Sequence, residues 1–256
     1  MPKKKAAPLS KVDSSGMYTV AYGAPARACA MRLLTSWQTY MPGVPVMIAT
    51  DEPDAFAPFD VIAVTLDRPD IGAREPKLRM SSVTPPQWDA VLYLDADTEL
   101  MEPVGFLFEA VRAGWDMVIC KNPARFHTTR AMARPNNQDE VARTWETMGG
   151  DDLLQWNGGV IGFGRSEAVA RVFDLWQDGW REQRNQDQPA LHRALWRQPL
   201  RVLTLGNEWN KSTRYPDGAA REIIRHHQTE AREIGLTKLP PGVAGDSPEA
   251  WARVRK

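Results

Sequence analysis

Ala90-Val-Leu-Tyr-Leu94-Asp95-Ala96-Asp97-Thr98 is an unbroken apolar run that ends in two carboxylates one residue apart. A continuous apolar run of five residues bounded by turn formers predicts a strand buried on both faces, as in a parallel sheet covered by helices. The chain on either side keeps that rhythm. Met17 to Tyr22, Val46 to Ala49, Asp60 to Leu66, Trp115 to Cys120, Gly158 to Gly164, Arg201 to Leu205 and Glu222 to Ile224 predict further strands. Helices are predicted between them from apolar residues at helical spacing. One stripe is Ala30, Leu33, Leu34, Trp37 and Met41 behind Pro25. Another is Val169, Val172, Phe173, Trp176 and Trp180 behind Ser166, a good N-cap. Pro103 to Ala113 and Asn185 to Trp196 complete the set. Strands alternating with helices specify an α/β fold with a mostly parallel central sheet flanked by helices, in one domain.

The expected boundaries are a disordered N-terminal lead over 1–16, a domain over 17–230, and a C-terminal tail or peripheral helix over 231–256. Asn122 to Asp152 has no clear period. A loop of that length in a compact domain is usually functional or mobile, so Arg125, His127, Arg130, Arg134 and Trp145 mark a candidate lid or acceptor loop, with a floppy insertion as the equal alternative.

Composition narrows the partners. The 256 residues carry 32 Lys plus Arg against 32 Asp plus Glu, a net charge of zero. That leaves no long-range field to hold a nucleic acid or an anionic membrane. No apolar run approaches the roughly 20 residues of a membrane span, and Lys3, Lys4 and Lys5 are not followed by the apolar stretch of a signal peptide. Two isolated cysteines, Cys29 and Cys120, make no metal-ligand pattern and fit a reduced compartment, so a cytoplasmic location is expected. The ten tryptophans are the unusual entry, since an indole serves a core or a ligand platform equally well.

Ligands of open α/β sheets sit beyond the carboxyl ends of strands, where Asp95 and Asp97 lie. Two such carboxylates are costly to bury unpaired. A hard divalent cation completed by phosphate oxygens resolves the cost; the bland alternative is pairing with arginines or capping a helix. Haloacid-dehalogenase-like phosphatases carry D-x-D-x-T after an apolar strand. Here Thr98 comes one position too early and Glu99 stands in its place, which demotes that reading.

Leu92-Tyr-Leu-Asp-Ala-Asp-Thr98 resembles the D-x-D segment of nucleotide-sugar glycosyltransferases with the GT-A fold, in particular family 8, the glycogenin-like and lipopolysaccharide galactosyltransferase-like group. Four further segments resemble the family in the same chain order: Lys77, Gln155-Trp-Asn-Gly-Gly-Val-Ile-Gly-Phe163, Asn185-Gln-Asp-Gln-Pro-Ala190 and Ile223-Ile-Arg-His-His-Gln228. The resemblance implies that Asp95, Asp97 and a late histidine hold Mn²⁺, with Mg²⁺ as the alternative. Two carboxylates with an imidazole suit Mn²⁺ better. Family spacing places His226 ahead of His227. Lys77 would contact the donor diphosphate, Asn157, Gly158 and Gly159 would line the donor sugar, and Asp187 and Gln188 would stand at the reacting carbon. Tyr22 and Gly23, after the first strand, would meet base and ribose, although Tyr22 could equally fill the core. Glu208, Trp209 and Asn210 resemble an element beside the acceptor channel.

The implied activity is metal-dependent transfer of a hexose from a UDP-sugar to an acceptor hydroxyl, with retention. The acceptor is open among saccharide, lipid-linked glycan, protein and modified DNA base. The alternatives are a glycosyltransferase acting on a hydroxymethylated DNA base and a catalytically inactive nucleotide-sugar-binding protein.

Overall fold

The computed structural model describes residues 14–66, 74–122, 138–150, 153–183, 187–213 and 221–227. The lead up to residue 13, Arg125, His127, Arg130 and Arg134 of the candidate lid, and the expected tail over 231–256 lie outside the described residues. In chain order the strands are β1 (Ser15–Ala21), β2 (Val46–Thr50), β3 (Ile62–Val64), β4 (Ala90–Leu94), β5 (Thr98–Leu100), β6 (Met117–Lys121), β7 (Trp156–Gly164), β8 (Val202–Leu205), β9 (Lys211–Ser212) and β10 (Ile224–His226). The helices are α1 (Ala24–Tyr40), α2 (Arg74–Leu78), α3 (Met80–Val83), α4 (Gly105–Arg112), α5 (Gln138–Thr147), α6 (Glu167–Gln183) and α7 (Asp187–Arg197). No described helix is long and apolar enough to cross a membrane.

The predicted run Ala90–Leu94 is the middle of a seven-stranded sheet ordered β3-β2-β1-β4-β7-β6-β8. Every neighbouring pair is parallel except those made by β7, which runs antiparallel to both β4 and β6. The expected mostly parallel α/β sheet is therefore present. Successive residues of β4 feed opposite faces. Leu92 and Leu94 join a core with α1 and α4 that includes Leu33, Trp37 and Phe108. Val91 and Tyr93 join a second core with α6 and α7 that includes Phe163, Trp176 and Trp180. Double-sided burial is why the strand reads as continuous rather than alternating. The two helical stripes read from the sequence are buried in full.

A second sheet of three short strands, β5-β10-β9, bears on function. β10 pairs antiparallel with β5, setting Ile224 against Leu100 and His226 against Thr98, and parallel with β9. A histidine more than 120 residues downstream is thereby laid beside the residue that follows Asp97.

Three boundaries depart from the sequence reading. β1 starts at Ser15, so the end of the expected lead belongs to the sheet. The last strand is Ile224–His226, two residues later than expected, because its register is set by pairing with β5 rather than by its own apolar content. Within the aperiodic 122–152 stretch, Gln138–Thr147 is a helix. Its buried face consists of Glu140, Val141 and Thr144, so no apolar period shows. Arg193 of α7 satisfies that face: its guanidinium donates to Glu140 Oε1 at 2.9 Å, Thr144 Oγ1 at 2.6 Å and the Gly179 carbonyl at 3.1 Å.

Gly16, in β1, lies directly under Trp88, and a Cβ there would overlap the buried indole. Overpacking of this kind costs about 1–3 kcal/mol. Gly16→Ala is expected to lower the unfolding free energy by that amount, read as a lower urea midpoint; an unchanged midpoint would show that the Trp88 ring yields.

Candidate metal centre

β4 carries the chain to Asp95, whose amide still bonds the Gly159 carbonyl of β7 at 2.8 Å. The chain then turns, because the Thr98 amide and hydroxyl both donate back to the Asp95 carbonyl, at 3.0 and 2.7 Å. The His227 amide clamps the Asp97 carbonyl at 2.8 Å. These backbone bonds bring a carboxylate oxygen of Asp95, one of Asp97 and a ring nitrogen of His226 within 4.8 Å of one another. Among the described residues no other group of three His, Cys, Asp or Glu comes as close.

The imidazole is held from behind. His226 Nδ1 meets Asn210 Oδ1 at 2.8 Å. Asn210 Nδ2 donates to Asn157 Oδ1 at 2.8 Å, and that oxygen also accepts the Gly159 N–H at 2.8 Å. With an oxygen opposite Nδ1, the network assigns the proton to Nδ1 and leaves Nε2 facing the carboxylates. Nε2 lies 3.0 Å from Asp97 Oδ1 and 3.8 Å from Asp95 Oδ2. Two carboxylates and an imidazole with a fixed tautomer make a donor set that fits Mn²⁺. Gly159 is part of the cradle, since a Cβ there would stand 2.8 Å from both Asp95 Oδ2 and His226 Cε1.

On the other face of β7 lies a second charge cluster. Lys77 of α2 reaches Asp95 Oδ1 and Asp187 Oδ2, each at 3.2 Å, and Arg74 Nε stands 3.5 Å from Asp187 Oδ1. Asp187 is the first residue of α7, where the helix N-terminus favours a negative charge. Tyr93 donates its hydroxyl to Asp95 Oδ1 at 2.6 Å. Burial opposes ionisation of Asp187, but Lys77 and Arg74 hold its carboxyl below the ordinary range. Burial likewise opposes the Lys77 ammonium, and Asp187 with Asp95 outweighs it and raises the pKa. The Tyr93 phenol, pushed well up by burial and then by Asp95, remains a donor.

The structure thus brings together Lys77, Asp95, Asp97, Asn157, Gly158, Gly159, Asp187 and His226, all singled out from the sequence. Gln188 follows Asp187 in the same turn and is half-buried. His227 pairs instead with Glu99 Oε2 at 2.8 Å. The glycine pair makes room for the protein's own side chains: a Cβ on Gly158 would stand 3.3 Å from Lys77 Nζ. Tyr22 resolves in favour of the core. It is wholly buried, its hydroxyl accepts the Leu66 N–H, and no ring face is exposed for a base. Gly23 takes a left-handed conformation (φ 86°) at the start of α1, and its N–H is held by both oxygens of Asp51 at 3.0 and 3.1 Å. Asp51 in turn accepts from Arg27 at 2.7 Å.

Sequence reasoning missed Tyr93, Arg74 and the support Asn210 gives His226. Tyr93 could have been found, since it lies two residues before Asp95 on a strand and so on the same side. Nothing local marks Arg74. Trp156, beside Asn157, stacks on buried His192 (centroids 5.2 Å apart, planes at 9°), whose Nε2 accepts the Trp156 N–H at 3.0 Å. Burial lowers the His192 pKa to about 4, so that ring stays neutral.

No protein-family model matches the chain, and no curated protein matches it in sequence. Its structure is similar to the crystal structure of mouse xyloside xylosyltransferase 1 in its apo form, with a TM-score of 0.57 and 14% identity. The match covers 88% of this chain and 99% of that one. The mixed α/β fold, with its mostly parallel seven-stranded sheet flanked by helices, is similar to that of a GT-A glycosyltransferase.

Burial disfavours a charged His226, but Asp97, with help from Asp95, raises its pKa above the ordinary value. A cation at Nε2 must displace that proton. Mn²⁺ affinity is therefore expected to fall by up to about tenfold per pH unit once the pH drops below the raised pKa, at a higher pH than an ordinary histidine (about 6.5) would give. Calorimetric titration between pH 8 and 5.5 measures this. A flat profile, or loss of Mn²⁺ binding in His227→Ala but not in His226→Ala, would contradict the assignment.

Proposed function

We propose that the protein is a metal-dependent glycosyltransferase that moves a sugar from a nucleoside diphosphate, most simply UDP, to an acceptor hydroxyl. The observation that carries this reading is the convergence of Asp95, Asp97 and His226 at the carboxyl end of β4. Lys77 and Asp187 adjoin that cluster, in a fold shared with a xylosyltransferase. Bond breaking at the anomeric carbon leaves growing negative charge on a diphosphate and positive character on the sugar ring. Asp95, Asp97 and His226 would hold Mn²⁺, which supplies Lewis-acid stabilisation of the departing diphosphate. Lys77 Nζ adds a second positive charge at the same edge, already oriented by two carboxylates and poorly solvated, where it counts for more than in water.

Asp187 keeps its charge because Lys77 and Arg74 surround it. A fixed carboxylate suits it to hold a sugar hydroxyl or to steady the positive ring, with Gln188 in the next position of the helix. The uracil base and the retaining outcome rest on the family 8 resemblance of the ordered segments. Zero net charge and a site built for a diphosphate favour a small-molecule donor over tracking along DNA.

The test is release of UDP from UDP-glucose, UDP-galactose and UDP-xylose with Mn²⁺, alone and with simple saccharide acceptors. Asp97→Ala is expected to reduce turnover at least about 100-fold, and Lys77→Ala by roughly 100–1,000-fold, in the range seen when one preorganised donor is removed. Turnover undiminished in Asp97→Ala would overturn the reading.

A further inference from the structure

The two oxygens of Asp95 have different surroundings. Oδ1 accepts the Tyr93 hydroxyl at 2.6 Å and the Lys77 ammonium at 3.2 Å, while Oδ2 is the oxygen nearer His226 Nε2. The phenol is fixed as firmly as the carboxylate. Tyr93 is 2% exposed, its ring lies 6.1 Å from that of Tyr18, and Lys77 Nζ stands 5.2 Å from its centroid. Tyr18 is itself tied by its hydroxyl to the Pro76 carbonyl at 2.9 Å, on the helix that carries Lys77. A charge-assisted hydrogen bond from a buried, immobile donor is among the strong kinds. Two donors on one oxygen leave the other to a cation.

We propose that Tyr93 is a positioning residue that, with Lys77, confines Asp95 to a single oxygen ligand, and that this makes the cluster select a small octahedral cation over Ca²⁺. The inference rests on the metal reading above. Asp95 Oδ2, Asp97 Oδ1 and His226 Nε2 then offer one atom each, half of an octahedral shell, with the remainder open to phosphate oxygens and water. Ca²⁺ takes six to eight oxygens and commonly a bidentate carboxylate, which an Oδ1 already engaged by a phenol and an ammonium does not supply.

The experiment is Mn²⁺ binding to the full chain, followed by the paramagnetic resonance signal of free Mn²⁺, with Ca²⁺ as competitor, in wild type and Tyr93→Phe. The phenylalanine keeps the ring in the core and removes the one donor. Wild type is expected to prefer Mn²⁺ at least about tenfold. The variant is expected to bind Mn²⁺ about 10–100-fold more weakly, as for loss of an outer-shell partner, while its Ca²⁺ affinity changes little, so the preference collapses. Equal Mn²⁺ binding by both proteins, or equal weakening of both cations, overturns the proposal. So does a wild type that binds Ca²⁺ as tightly as Mn²⁺, a result that needs no variant. Failure of wild type to bind Mn²⁺ at all would instead remove the metal reading beneath it.

Discussion

Three carboxylates, Asp95, Asp97 and Asp187, meet at one end of a buried strand, and the local structure depends on how their charge is balanced. Lys77 and Arg74 supply two positive groups, and His226, whose pKa Asp97 and Asp95 raise against burial, supplies the third when it is protonated. The balance shows in the titration of its members. Asp97 and Asp187 are held below, and Lys77 and His226 above, their ordinary values, against burial that opposes each charge. Removing one partner from such a cluster strands the others in a poorly solvated place. A divalent cation held by Asp95, Asp97 and His226 would stand where a proton on Nε2 would be, with Lys77 and Arg74 on the far side.

The fold serves that balance through two features of its topology. β7 is inserted antiparallel between β4 and β6, which lays Asn157, Gly158 and Gly159 across the end of β4. The side-chain-free position of Gly159 then faces the metal cluster and that of Gly158 faces the Lys77–Asp187 pair. The small sheet brings β10 to β5 and so His226 to Asp97, while Asn210, just ahead of β9, braces the ring. Both features are anchored in the large apolar cores, through Val160, Ile161 and Phe163 of β7 and through the paired Leu100 and Ile224 of β5 and β10. Both require that β4 and α7 be held rigidly, which Trp176 does for α7 by donating its indole N–H to the Asp187 carbonyl at 2.7 Å.

Much of this was legible in the sequence where local chemistry and tertiary role coincide. β4 announces itself because both its faces are buried, and Asp95 and Asp97 because carboxylates at such a strand end demand a partner. Legibility failed where partners are remote. α5 buries a carboxylate against Arg193, so its period is invisible without α7. Gly158 and Gly159 read as space at the site, but the side chains that an added Cβ would meet there, Lys77, Asp95 and His226, are remote in sequence. Tyr22 offered an aromatic ring at a strand end, and only packing shows it to be core. The tryptophans divide the same way. Trp37, Trp88, Trp176 and Trp180 are buried packing residues, while Trp156 on His192 and Trp209 beside Phe106 are partly exposed on the edges of the site's supporting strands.

If a cation and a nucleoside diphosphate share one site built on Asp95, Asp97 and His226, thermal unfolding of the full chain with Mn²⁺ alone, UDP alone and the two together will show it. UDP is expected to raise the midpoint only when Mn²⁺ is present. At a ligand concentration near 100 times the dissociation constant the gain would correspond to about 2.7 kcal/mol. Equal stabilisation by UDP with and without Mn²⁺, or none from the two together, would contradict it.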